Sequence, residues 1–309
     1  MTKPIILVTG ATGKTGTPAI KELRQQGIAV RAMASKKDER AAALTELGAE
    51  VVVANFHDYP SLAKAVDGIE AAYFACPIDD VMLDAACNFA LAAKKAGVKR
   101  IVDMSLIIVR EAHPSPAAYQ CWQNENLFDW AGFQTVHLRT SVFSSMIAFL
   151  SGIPIAAQNK LFLPWGEKKL SMVPMEDVGR VVARLLVDPG DYIGSAPILT
   201  GSALHSGAEI AEILSRVLGR GIEYVDAAPA DWREGMAPMM SALNLPETVL
   251  DHVIEVSNDL RAGGVLDQVT DHVARITGQP AQGLEDYLRG RTGDFEMIAG
   301  MISGQAGSR

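Results

Sequence analysis

Short apolar runs rich in β-branched residues recur along the first half of the chain, at residues 5–8, 28–33, 50–53, 71–75, 100–104 and 135–138. Between them lie stretches with helical spacing, at 15–26, 37–47, 61–66, 79–96 and 117–130. Gly27 and Gly48 follow two of these stretches, where a left-handed cap closes a helix. Strand, helix and strand alternating at this spacing predict a parallel sheet with right-handed crossovers and helices on both faces. The fold class is therefore α/β, a doubly wound parallel sheet.

After about residue 150 the rhythm changes. Short strands are expected at 160–163 and 197–200, and helices at 175–187 and 206–218. In the last of these, Ile210, Ile213, Leu214 and Val217 fall on one helical stripe that a core would bury. From Pro229 onward the pattern is that of amphipathic helices broken by glycine and proline. No Ser/Gly-rich linker separates the halves, and no internal repeat is visible. The expected division is 1–150 for the sheet domain and 151–309 for a smaller, mostly helical part that caps it and returns elements to the sheet.

The first strand runs straight into Gly10-Ala-Thr12-Gly13-Lys14-Thr15-Gly16, which opens the first helix. A dinucleotide pyrophosphate needs a tight turn, backbone without Cβ where it approaches, and a helix amino terminus to meet its charge. The three glycines supply these in order, and strand-before, helix-after is the context such a loop requires. The spacing GxxGxxG fails the GxxxxGK[ST] pattern of an ATP-binding loop. The ribose partner is set at the end of the second strand, where Val30-Arg31-Ala-Met-Ala-Ser35-Lys36-Lys37 has no acid before Asp38. Arg31, Lys36 and Lys37 suit a 2′-phosphate, so NADP is the expected cofactor and NAD the second choice.

Composition narrows the partners. The 309 residues carry 28 Lys and Arg against 36 Asp and Glu, a net charge of −8 with pI near 5.3, so a nucleic-acid partner is not expected. Three cysteines without a CxxC argue against a disulfide framework, and six histidines without ligand spacing argue against a metal. No GxSxG elbow occurs, which disfavours a hydrolase. The uncharged stretch 140–159 carries four serines, Gly152, Pro154, Gln158 and Asn159, too polar a set for a lipid-facing helix. The expectation is a soluble cytoplasmic protein, monomer or homodimer, acting on a small molecule.

With these motifs in place, the sequence resembles the NmrA-like branch of the atypical short-chain dehydrogenase/reductases, which are NAD(P)-binding Rossmann proteins. The likeness runs through 6–13, Val30-Arg31, 88–102, 133–139 before Phe143, 173–181, 208–219 and 277–280. The resemblance implies an NAD(P)H-dependent reductase of quinones, azo dyes, triphenylmethane dyes or similar conjugated acceptors. It equally allows a cofactor-sensing regulator without turnover or, less readily, an isomerase or lyase using its cofactor internally. It further implies that Asn55 and Phe56 flank the adenine, that Ala75, Cys76 and Pro77 pass the nicotinamide ribose, and that Ser105, Val142 and Phe143 lie near the nicotinamide.

Catalysis by the usual Ser and Tyr-x-x-x-Lys set is not expected, because Gln123 stands where the lysine belongs after Tyr119. The basic residue that such reductases carry one turn before Glu125 is replaced by Cys121. Tyr119 and Ser105 remain as substrate-orienting candidates. Trp232, Met236, Met239 and Met240, clustered around Gly235 and Pro238, are read as an adaptable lid for bulky planar molecules.

Overall fold

The computed structural model describes residues 5–306. In chain order the elements are β1 (Ile5–Val8), α1 (Gly16–Gln25), β2 (Val30–Ala34), α2 (Glu39–Glu46), β3 (Glu50–Val53), α3 (Tyr59–Val66), β4 (Ile69–Phe74) and α4 (Met82–Ala96). There follow β5 (Arg100–Leu106), α5 (Pro116–Trp130), β6 (Gln134–Thr140), α6 (Met146–Gln158), β7 (Lys160–Leu163), β8 (Leu170–Ser171), α7 (Met175–Val187) and β9 (Ile198–Leu199). The chain continues through β10 (Leu204–His205), α8 (Gly207–Leu218), β11 (Glu223–Asp226), α9 (Pro229–Ala242), α10 (Glu247–Ala262), α11 (His272–Thr277), α12 (Leu284–Arg289) and α13 (Thr292–Ala306).

Seven strands form one parallel sheet in the order β3-β2-β1-β4-β5-β6-β9. The order reverses between β1 and β4, which makes the gap at their carboxyl ends the topological switch point. The doubly wound reading of the sequence is thus the observed fold.

Two compact units are present. The first runs to Thr140 and adds Met175–Leu199 and His272–Gln279; the second takes Ser141–Pro174, Thr200–Asp271 and the chain from Pro280 on. A single cut at residue 150 describes this path only in outline. The chain must return because α7 packs on α1 at a spot where only glycine fits: a Cβ on Gly179 would stand 2.5 Å from the Cβ of Pro18 and 2.9 Å from Ala19 N. β9 likewise returns to pair with β6, Arg139 opposite Ile198.

Within the first unit, alternate strand residues such as Leu7, Ala72 and Ile101 are buried under α3 to α5, where Phe56, Phe74, Phe89, Phe128 and Phe133 form a chain of edge-on and tilted rings. Such pairs add about 0.5–1.5 kcal/mol each beyond the area they bury. In the second unit, α6 occupies most of the stretch read as uncharged and too polar for lipid, and it buries Ile147, Leu150 and Ile155. Among the described residues no helix is long and apolar enough to cross a membrane. A capping box on Ser206 and Glu209 starts α8, and β11 pairs in parallel with β7, a pairing that two four-residue runs far apart in sequence do not announce.

Candidate functional site

The glycine loop sits at the carboxyl end of β1, beside that of β4. Gly10 adopts φ +54°, a left-handed conformation that side chains resist. A Cβ on Gly13 would lie 2.9 Å from the carbonyl oxygen of Gly10, and one on Gly16 would overlap the same oxygen. The turn therefore closes only on glycine. Thr9, not singled out from the sequence, locks the loop's root: its hydroxyl accepts from Ala75 N–H (2.9 Å) and lies 3.0 Å from the Tyr73 carbonyl. Thr17 donates to Ala11 O (2.9 Å), and the Thr15 hydroxyl meets that of buried Tyr73 at 3.0 Å. The first turn of α1 carries no acid, so the positive end of its dipole is uncompensated. Gly13 and Lys14 are exposed at the tip, with Thr12 half-buried beside them.

Arg31 does not serve as expected. It lies inside β2, three residues before the strand's carboxyl end, and its guanidinium pairs with Glu50 (3.1 Å) and donates to Ala65 O (3.0 Å) and Asp67 O (2.6 Å). These partners hold it against β3 and the end of α3. Lys36 and Lys37, by contrast, are exposed just beyond the carboxyl end of β2. Asn55 and Phe56 follow β3. The Asn55 side chain accepts from His57 N–H (2.9 Å), and the Phe56 ring packs edge-on to Phe74 at 5.4 Å. Ala75, Cys76 and Pro77 follow β4, and burial pushes the Cys76 thiol up to about 12, so the thiol form is favoured over the thiolate. Val142 and Phe143 belong to the second unit, where they pair with Val173.

Ser105 and Tyr119 hold separate contacts. Ser105, fully buried, donates to Glu125 (2.5 Å), whose carboxylate also accepts two bonds from Arg139, at 3.1 and 2.6 Å. Tyr119 is 37% exposed and stacks on Trp122, with ring centroids 5.7 Å apart and planes within 11°. The Ser105 hydroxyl thus anchors a buried ion pair. The sequence clue was available: Glu125 lies one turn after Cys121, on the inward face of α5.

A second buried network lies beside the first. His137 Nδ1 is 3.1 Å from Asp103, and its Nε2 is 3.1 Å from Asp129, which accepts from Thr135 at 2.5 Å. Burial opposes charge on His137, but the hydrogen bond and charge of Asp103, with Glu125 and Asp129, outweigh it and raise the group to about 9. Burial raises Asp103 to about 6 despite that partner. A histidine raised in the fold adds stability that is complete below its ordinary value near 6.5 and is lost as pH climbs through 9. The raised Asp103 acts at the acid end, where the cost of its buried charge is relieved as pH falls through 6 toward its ordinary value. Denaturant melts of His137→Gln are therefore expected to lose less stability than wild type between about pH 7 and about pH 10; parallel curves would count against a charged His137.

The proposed lid divides. Trp232 is fully buried and Met240 nearly so, while Met236 and Met239 are half-buried on the same face of α9. Trp232 and Met240 are core residues, because the helical repeat carries that face inward. Trp232→Ala should cost about 3–5 kcal/mol of stability, read as a fall in Tm; an unchanged Tm would restore the residue to the lid.

Comparison with known proteins adds a family. The model of the NmrA-like family matches residues 2–288. An NAD(P)H azoreductase of Xenophilus azovorans is 27% identical over 295 residues, 94% of this chain and 99% of that protein. Among solved structures, an NADPH-dependent quinone oxidoreductase of Escherichia coli complexed with NADPH superposes with a TM-score of 0.79 at 22% identity, covering 91% of this chain and 98% of that one. The negative transcriptional regulator NmrA in complex with NADP gives 0.74 at 18%, covering 94% and 95%. Both structural likenesses bear on the fold.

Proposed function

Because the chain belongs to the NmrA-like family, we propose that it is an NAD(P)H-dependent oxidoreductase passing hydride to a conjugated organic acceptor of the quinone, azo or enone kind. The observation that carries this reading is the glycine loop at the β1–β4 switch point, closed too tightly for any Cβ and set against the acid-free amino end of α1. The similarity to an azoreductase along nearly the whole chain supports it.

When bound, the nicotinamide supplies the hydride. The chain binds and orients. The loop and the first turn of α1 take the pyrophosphate, and Lys36 and Lys37 take the 2′-phosphate that favours NADP(H) over NAD(H). Asn55 and Phe56 border the adenine, while Ala75, Cys76 and Pro77 border the nicotinamide ribose. The acid–base side is bare: Ser105 is committed to Glu125, and Cys121 and Gln123 replace basic residues. Reduction of a simple ketone yields an alkoxide that needs a positioned acid. A conjugated acceptor spreads the charge and takes its proton from water, so the substrate class follows from what the site lacks.

Steady-state loss of NADPH absorbance across quinones, azo dyes, enones and simple ketones tests this. Turnover is expected with conjugated acceptors and not with ketones; efficient ketone reduction would overturn the proton argument. Replacing Lys36 and Lys37 together with alanine should weaken NADPH about tenfold or more and leave NADH little changed, since a charge-assisted phosphate contact contributes about 1.5–3 kcal/mol. Equal losses would remove the NADP preference. The bare acid–base side also favours a second reading, a regulator that binds NADP(H) without turnover. Tight NADPH binding with no oxidation by any acceptor would select it.

A further inference from the structure

The geometry points to a second binding site, at the edge of the sheet opposite the glycine loop, built for an α-amino acid with an apolar side chain. A cavity of about 300 Å³ opens there, within the first unit, against the amino ends of β1, β4 and β5 and the last turn of α7. Its volume falls at the small end of ligand pockets. Ile6, Ile28, Ala71 and Leu186 give it an apolar wall, and of its lining residues only Glu70 and Arg100 carry charge. The strands that begin here end at the cofactor crevice. Ile6 and Gly10 are separated by four residues of near-extended chain, about 13 Å.

Both charged groups have bonding capacity that the fold leaves unused. Arg100 opens β5, opposite Ala71 in the register. Its Nη1 donates to Leu186 O (2.7 Å) and so caps the carboxyl end of α7, where a cation is favoured. That bond fixes one corner of the guanidinium. The far edge is open: Nε is buried without a partner, and among the described residues Nη2 has none either. Nε and Nη2 are the parallel pair with which arginine grips a carboxylate, and a buried N–H costs stability until something accepts from it. Glu70 stands at a break in the ladder. Ile5 pairs with Ile69 and Ile6 with Ala71, so Glu70 is an inserted residue with no partner on β1. Bulges of this kind redirect a side chain, and this one puts Glu70 in the cavity wall. Among the described residues its carboxylate forms no hydrogen bond or ion pair, with Arg100 or any other group. An acid and a guanidinium that share an apolar cavity without pairing define their ligand. It offers a carboxylate to Arg100, an ammonium to Glu70 and an apolar group to the wall, which is the constitution of leucine or phenylalanine. A plain carboxylate would leave Glu70 facing like charge, and a plain amine would leave Arg100 Nε without an acceptor.

Calorimetric titration of L-leucine and L-phenylalanine into the full chain, with NADPH present in excess, should show at least one binding with a Kd of about 1 mM or tighter. Isocaproate and isoamylamine, which are leucine without its amine and without its carboxylate, should each bind about tenfold or more weakly than the amino acid. Glu70→Gln should weaken the amino acid about tenfold and tighten isocaproate, since the like charge is gone, with Tm and NADPH affinity retained. Arg100→Lys keeps a cation at the end of α7 but not the two-pronged edge, and should weaken the amino acid about as much. If that variant fails to fold, Glu70→Gln with the same compounds decides. No binding of either amino acid up to about 10 mM, amino acids held no better than isocaproate or isoamylamine, or a preference that Glu70→Gln does not move would overturn the site. Binding that appears only when NADPH is withheld would place the amino acid in the cofactor crevice and overturn it as well.

Discussion

Gly13→Val is expected to weaken NADPH binding by about a hundredfold or more, close to 3 kcal/mol. The turn leaves no slack: the new Cβ would start 2.9 Å from the Gly10 carbonyl oxygen, and that oxygen cannot retreat because Gly16 already lies against it. The loop must reopen, and its backbone N–H groups then no longer converge on one phosphate. Stability should suffer less than binding, since Gly13 is exposed at the tip and buries no side chain. A fluorescence titration with NADPH, paired with a thermal melt, separates the two effects. Affinity within threefold of wild type in a folded variant would mean that the pyrophosphate sits elsewhere.

Arg139→Met should be the most destabilising single change in the first unit, by about 3–5 kcal/mol. The substitution keeps much of the apolar stem but leaves Glu125, only 5% exposed, with the Ser105 hydroxyl as its sole remaining partner of the three bonds described. Glu125→Gln should cost less, because a neutral amide can still accept from both. The ordering, measured as unfolding free energy in denaturant, is the test. If Glu125→Gln proved the more damaging, the ion pair would not be what holds α5 to the sheet.

That ion pair also marks where the sequence could be read and where it could not. Strands and helices of the first unit were legible because β-branched runs and helical spacing act over a few neighbouring residues, and Gly10, Gly13 and Gly16 declare a turn by the absence of side chains. Arg31 misled because a cation near a phosphate loop is read by proximity in sequence. Its destination depends on Glu50 and on the carbonyls of Ala65 and Asp67, which lie 19 to 36 positions away. Ser105 misled for the same reason, its partner being 20 residues on. The burial of Trp232 was not legible at all, since a Met-rich helix face looks alike over a pocket and over a core.

The five passages of the chain between its two units bear on biosynthesis. As the protein leaves the ribosome, β1 to β6 can pair early, but β6 stays an open edge until residues 198–199 arrive to become β9. The α7 surface that closes over α1 appears only with Gly179, and α11 follows some ninety residues later. An unpaired strand edge in a waiting intermediate is a template for aggregation. The nascent chain therefore passes through a long interval in which its sheet is nearly built yet unguarded, and a ribosome stalled between Thr140 and Ile198 should expose that edge to chaperones.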